Sequence, residues 1–171
     1  VWEESVIPHR YKALPDMFRI TRKEGDNGQT LLDIDILNVK SNFFGYLINT
    51  SRLYWREETE VPFGDDREAS AAYIKAHPFC IDGEGLQPYE IAEQKQNLIN
   101  KIFTFGYMLH RYKDYARCWA PMAMDNKIGE EDECNGRSGK SFFFKTLSFL
   151  VNTVKLSGRN PKLMDNPHVF E

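Results

Sequence analysis

The sequence predicts an α/β chain, mainly helical. A mixed α+β N-terminal unit covers residues 1–85, and a second unit, residues 86–171, opens on a long helix. Two patterns carry this. Residues 17–37 alternate apolar and polar side chains as half-buried strands do, and residues from Pro88 onward repeat apolar side chains at helical spacing. At 171 residues and 42% hydrophobic content the chain is long enough to bury one core or two small ones.

Taken in order, residues 17–37 read as a β-hairpin. Phe18 and Ile20 alternate with Arg19 and Thr21, and Leu32, Ile34 and Ile36 alternate with Asp33 and Asp35. The E-G-D-N-G loop between them supplies residues that tolerate positive φ. Ser41 is an N-cap for a short helix burying Phe43, Phe44, Leu47 and Ile48. R-L-Y-W-R-E, residues 52–57, is expected to be a strand. Asp65 or Asp66 caps a further helix, which must stop before Pro78. Pro88 suits a first helical turn, and Ile91, Leu98, Ile102, Phe105, Leu109 and Tyr112 carry that helix to about Arg117. A-P-M-A-M-D, residues 120–125, is expected to be a short buried strand. Residues 140–155 read as a helix with Phe143, Leu147, Leu150 and Val154 on one face.

The net charge of −3 gives no global signature of nucleic-acid or membrane binding, so any such contact must use a local patch. Cys80, Cys118 and Cys134 are odd in number and widely spaced, as free thiols in a reducing, cytoplasmic compartment are. The charged, proline-broken start lacks a secretory pattern. The most apolar stretch carries Lys145 in its middle and is too short to span a bilayer. No membrane partner is expected.

The chemistry-bearing string is E-C-N-G-R-S-G-K-S-F-F-F-K-T-L, residues 133–147. A polyphosphate needs several backbone N–H groups converging on its oxygens, and glycines permit the tight turns that do this. A helix beginning at the loop adds free N–H groups and a favourable dipole. A lysine then reaches the outer phosphates, and a serine or threonine hydroxyl binds Mg²⁺. Gly136, Gly139, Lys140 and Ser141 meet these demands in order. Two features depart from the pattern. Cys134 stands where the first glycine is usual, and Glu130, Glu131, Asp132 and Glu133 place four carboxylates close to the anion.

I-F-T-F-G-Y-M-L-H-R-Y-K-D-Y-A-R-C-W-A-P-M-A-M-D followed by N-G-R-S-G-K-S-F-F-F-K-T-L resembles the entry to the ATPase module of superfamily 3 helicases. The poxvirus- and phage-type primase-helicases, found also in bacterial mobile elements, are the nearest likeness. Residues 30–60 are similar, more weakly, to the segment before such modules. The resemblance implies the start of a P-loop NTPase core. Asn135, Gly136, Arg137, Ser138 and Gly139 would cradle the phosphates, Lys140 would contact the β- and γ-phosphates of ATP, and Ser141 would hold Mg²⁺. It also implies a DNA-replication ATPase that assembles as a homo-oligomeric ring on single-stranded DNA. Such ATPases need a second motif, an apolar strand ending in acids. After Ser141 the only acids are Asp165 and Glu171. The expectation is therefore a fragment cut inside the ATPase core, which binds nucleotide without turning it over.

Other groups are weaker. His9, His77, His110 and His168 are scattered without metal-ligand spacing. Asp33 and Asp35 suit a polar strand face better than a catalytic pair. Arg111, Lys113 and Arg117, interleaved with Tyr112 and Tyr115, suit either single-stranded nucleic acid or the solvated end of a helix. Arg52, Tyr54, Trp55 and Arg56 form a similar group. The rival to the ATPase reading is a non-catalytic DNA-docking or protein-interaction module with a vestigial phosphate loop.

Overall fold

A computed structural model describes residues 16–25, 28–109, 114, 116, 118–124 and 139–156. The chain divides into two compact units between Ser138 and Gly139. The boundary expected at residues 85 and 86 falls inside the first unit, because the long helix packs on the hairpin that precedes it.

In the first unit, β1 (Phe18–Glu24) and β2 (Thr30–Ile36) form an antiparallel hairpin running from the Phe18–Ile36 pair to the Glu24–Thr30 pair. Its turn is closed by Gly25 N donating to Gln29 O and Gly28 N to Gly25 O. Of the three apolar residues expected on the inner face of β2, Ile34 alone is buried. Two strands cannot cover each other, so burial is confined to where another element lies across them.

α1 (Asn42–Asn49) begins as the sequence requires, with the Ser41 side chain accepting from Phe44 N at 3.3 Å. Phe44, Leu47 and Ile48 are buried on its inner face. Residues 52–57 are not the expected strand: a turn leads into α2 (Trp55–Thr59). An extended backbone would hold Arg52 and Glu58 far apart; the turn brings their side chains together. α3 (Arg67–Ala76) is capped by Asp66, which accepts from Ala69 N at 3.0 Å, and ends at His77, before Pro78. α4 (Pro88–Leu109) spans 22 residues and packs on both β2 and α1. Its buried residues are Gln94, Leu98 and Ile99. The core thus gathers Ile34, Phe44, Leu47, Ile48, Ile81, Leu98 and Ile99, each contributing on the order of 1.5–3 kcal/mol by leaving water.

Polar groups lie inside this core, and among the described residues every buried side-chain polar atom has a hydrogen-bond partner. Arg52 forms two hydrogen bonds to the Glu58 carboxylate, and both side chains are almost wholly enclosed. Arg52 Nη1 also donates to His77 O at 3.1 Å, and the guanidinium lies 4.4 Å from the Trp55 ring centroid. Tyr73 Oη donates to Glu58 Oε1 and accepts from Glu84 N, both at 3.0 Å. Gly83 lets the chain pass the same carboxylate, since a Cβ there would stand 2.3 Å from Glu58 Cδ. Gln94, fully buried, accepts from Tyr54 N at 3.0 Å and donates to Ile81 O at 2.8 Å.

Residues 118–124 have no regular structure, and Met122 and Met124 are exposed, so the buried strand expected at 120–125 is not formed over its described residues. In the second unit, α5 (Lys140–Leu147) is shorter than the expected helix of 140–155. Its last turn tightens to three-residue spacing, with Ser148 N, Phe149 N and Leu150 N donating to Lys145 O, Thr146 O and Leu147 O. That spacing advances each residue by about 120° instead of 100°. The apolar face therefore breaks: Phe143 and Leu147 are buried, whereas Leu150 and Val154 are exposed. Asn152, Thr153 and Val154 are also weak helix formers.

The Arg52→Met variant should lose about 3–5 kcal/mol in urea unfolding, because the buried Glu58 carboxyl would be left without its partner. Adding Glu58→Leu to it should recover most of that loss. A double variant no more stable than the single would show that the pair is not the source.

Candidate functional site

Of the loop residues singled out by sequence, Gly139, Lys140 and Ser141 are described, whereas Asn135, Gly136, Arg137 and Ser138 lie outside the described residues. So do Cys134, the acidic run 130–133, and Arg111, Lys113 and Arg117. Gly139 is the N-cap of α5 and adopts φ 77°, ψ 0°, the left-handed region. A residue with a Cβ would be strained there by roughly 1–2 kcal/mol. The helix begins on the next residue, and Phe143 N donating to Gly139 O at 2.9 Å is its first closed turn.

Glycine at the cap has a further effect, since it brings no side-chain oxygen of its own to fold back over the first amides. Lys140 and Ser141 occupy the first two helical positions, half-buried and exposed respectively. A basic side chain in the first turn is unfavourable against the helix dipole unless an anion sits between them. The described part of the loop thus joins a left-handed glycine, a helix start, a lysine and a hydroxyl within three consecutive residues.

The other constellations resolve differently. Arg52 is spent on Glu58 inside the core, Arg56 approaches Glu60 at 3.9 Å, and Tyr54 Oη donates to Glu93 Oε2 at 2.5 Å. That last bond holds the Tyr54 phenol up at about 12. This group faces acids, which excludes it as a phosphate-binding surface. Asp33 pairs with Lys23 and with Lys95, the latter at 3.3 Å, and Lys95 also meets Asp82 at 3.4 Å. The hydrogen bond from Lys23 is the main cause holding the Asp33 carboxyl below its ordinary value. The role is structural, pinning β2 to α4. His77 stacks on Tyr73 at 4.3 Å, with its Nδ1 3.0 Å from Tyr73 O. Among the described residues no group of three or more His, Cys, Asp or Glu is placed to hold a metal ion, and no helix is long and apolar enough to cross a membrane.

One perturbed group escaped sequence reasoning. Lys101 Nζ donates to Thr50 O at 2.5 Å, Thr50 Oγ1 at 3.2 Å and Ser51 Oγ at 3.1 Å, closing the C-terminal end of α1. Burial pulls its ammonium down to about 8. The carbonyl end of a helix favours a cation, but loss of water outweighs it here. The signal was available: Lys101 follows Leu98 by three, and Gln94 precedes it by four, so both stand on the apolar face of α4.

No family model, curated protein or solved structure matches the chain. The helicase resemblance accordingly rests on the residues of the loop and its approach.

Lys101 makes a pH-dependent contribution whose sign follows from proton counting. Between about pH 8 and 10.5 the unfolded lysine holds a proton that the folded one has released. Stability from this group therefore rises with pH across that window and is flat below it. The difference in unfolding free energy between the wild type and Lys101→Met should grow from pH 7.5 to pH 9.5 in favour of the wild type. Parallel pH profiles would mean that Lys101 keeps its charge.

Proposed function

We propose that residues 135–141 bind ATP with Mg²⁺, and that the chain belongs to a replication ATPase of the primase-helicase type. The observation that carries this reading is the conversion at Gly139. A left-handed glycine hands the chain directly to a helix whose first two residues are Lys140 and Ser141, in the order that a phosphate loop requires. In this reading the backbone of Asn135 to Gly139 surrounds the phosphates. The Lys140 ammonium neutralises the outer two, and the Ser141 hydroxyl supplies one oxygen to the metal. In this reading Cys134 stands where the first glycine is usual, and none of these contacts is assigned to its side chain. Ring assembly and movement along DNA belong to the same reading by resemblance alone.

Hydrolysis needs an acid to hold Mg²⁺ and orient the attacking water. After Ser141 the sequence supplies Asp165 and Glu171 only, and Asp165 follows just two apolar residues. In this reading residues 135–141 bind nucleotide, and neither of these acids follows an apolar run of strand length.

Titration with a fluorescent ATP analogue in Mg²⁺ should give saturable binding. Lys140→Ala should weaken it about tenfold or more, the scale of one lost charge-assisted hydrogen bond. Ser141→Ala should remove the advantage of Mg²⁺ over EDTA. Phosphate release should stay at background in both the wild type and the variants. A wild type that binds no Mg-ATP, or a Lys140→Ala variant that binds it equally well, would defeat the proposal.

A further inference from the structure

We propose that the outer edge of β1 docks an extended acidic segment of a partner protein, which adds a third strand to the hairpin. This surface is separate from the phosphate loop and does not rest on nucleotide binding. The ladder fixes which backbone groups face outward. Leu37 N donates to Met17 O and Gly25 N to Gln29 O, so in the antiparallel register the positions of β1 bonded to β2 are Arg19, Thr21 and Lys23. Ile20 and Arg22, between them, turn their N–H and C=O groups away from β2. Among the described elements only β2 runs beside β1, and no described residue bonds those outward groups. Arg19, Ile20 and Arg22 are exposed as well. The opposite edge differs. Ile34, outward-facing on β2, donates its N–H to Asp33 Oδ1 at 2.9 Å, and Lys95 of α4 reaches the same carboxylate at 3.3 Å. One edge of the hairpin is capped from within the protein, and the other presents an unpaired row of donors and acceptors.

The chemistry of the edge selects the occupant. Outward N–H and C=O groups follow one another at strand spacing, and another polypeptide backbone answers both kinds in that order. A polyanion without N–H donors would leave the carbonyls unmet. The side chains then set the sign. β1 carries Arg19, Arg22 and Lys23 against Glu24, and Lys23 is already engaged by Asp33. Arg19 stands opposite Asp35 in the register, yet its side chain remains exposed. Two arginines therefore flank an exposed isoleucine along the open edge. A second copy of the chain pairing through this edge would bring these cations against one another, and like charges opposed across strands are destabilising. A strand with acids opposite Arg19 and Arg22 and an apolar residue opposite Ile20 meets the edge at all three positions.

The test uses the full chain and a fluorescein-labelled peptide, T-E-T-V-E-T, in anisotropy titrations. Paired antiparallel to β1, its acids fall opposite Arg22 and Arg19 and its valine opposite Ile20. Saturable binding is expected, and the Ile20 and Arg22 amide protons should exchange more slowly in the complex. The same peptide N-methylated at valine should bind about tenfold more weakly, because it loses a backbone donor. The Arg19→Glu, Arg22→Glu double variant should also bind T-E-T-V-E-T about tenfold more weakly and should prefer T-K-T-V-K-T. Its melting temperature should be unchanged, because both side chains are exposed. Absence of saturable binding would overturn the proposal. An N-methylated peptide that binds equally well would do so too, since charge attraction without strand pairing would then explain the affinity. So would a double variant that still prefers the acidic peptide, or sedimentation showing a self-association that the acidic peptide disperses.

Discussion

A charge without water must be answered from within the protein, and the first unit is organised around one such charge. Glu58 sits in the core with the Arg52 guanidinium, the Tyr73 hydroxyl and the bare backbone of Gly83 around it. Meeting it fixes the turn after α1, the short α2, the inner face of α3 and the loop leading to α4. A buried ion pair is seldom a net source of stability over an apolar equivalent, but it penalises every arrangement in which one partner is left alone. Its main effect here is to select one packing of four segments that share little apolar contact.

α4 does the same for the remaining elements, using polar residues at successive levels. Gln94 joins the backbone before α2 to that of Ile81, Lys95 bridges Asp33 of the hairpin and Asp82, and Lys101 closes the end of α1. These residues extend over about two turns of one helix. The helix that sequence assigned to a second unit is therefore the spine of the first. The hydrogen bonds also settle the orientation of the Gln94 amide: only its oxygen can accept from Tyr54 N, and only its nitrogen can donate to Ile81 O.

What could be read in advance was local. The hairpin, the Ser41 and Asp66 caps, the stop before Pro78 and the start at Pro88 all depend on residues a few positions apart, and the sequence states them directly. What escaped depended on distant partners. Nothing near R-L-Y-W-R-E says that Arg52 must turn inward, because its reason lies at Glu58, Tyr73 and His77. Nor does periodicity reveal that α5 tightens after Thr146, where the apolar face continues on paper but the backbone spacing changes. The glycine, lysine and serine string was legible as a spacing, and Gly139 shows a left-handed backbone at one of its positions. The aromatic residues of the second half of α4 were legible too, but the exposure of Phe103 and Trp119 required coordinates.

The polar networks of Glu58 and of α4 also govern time. The amides of Tyr54 and Glu84 lie outside helices and strands, yet each donates to a buried side-chain oxygen, those of Gln94 and Tyr73. Neither can reach solvent by the fraying that frees an ordinary loop amide, since release would strand a polar group in the core. Their protons are therefore locked to the collective opening of several segments, and two loop positions keep time with the slowest-exchanging part of the domain.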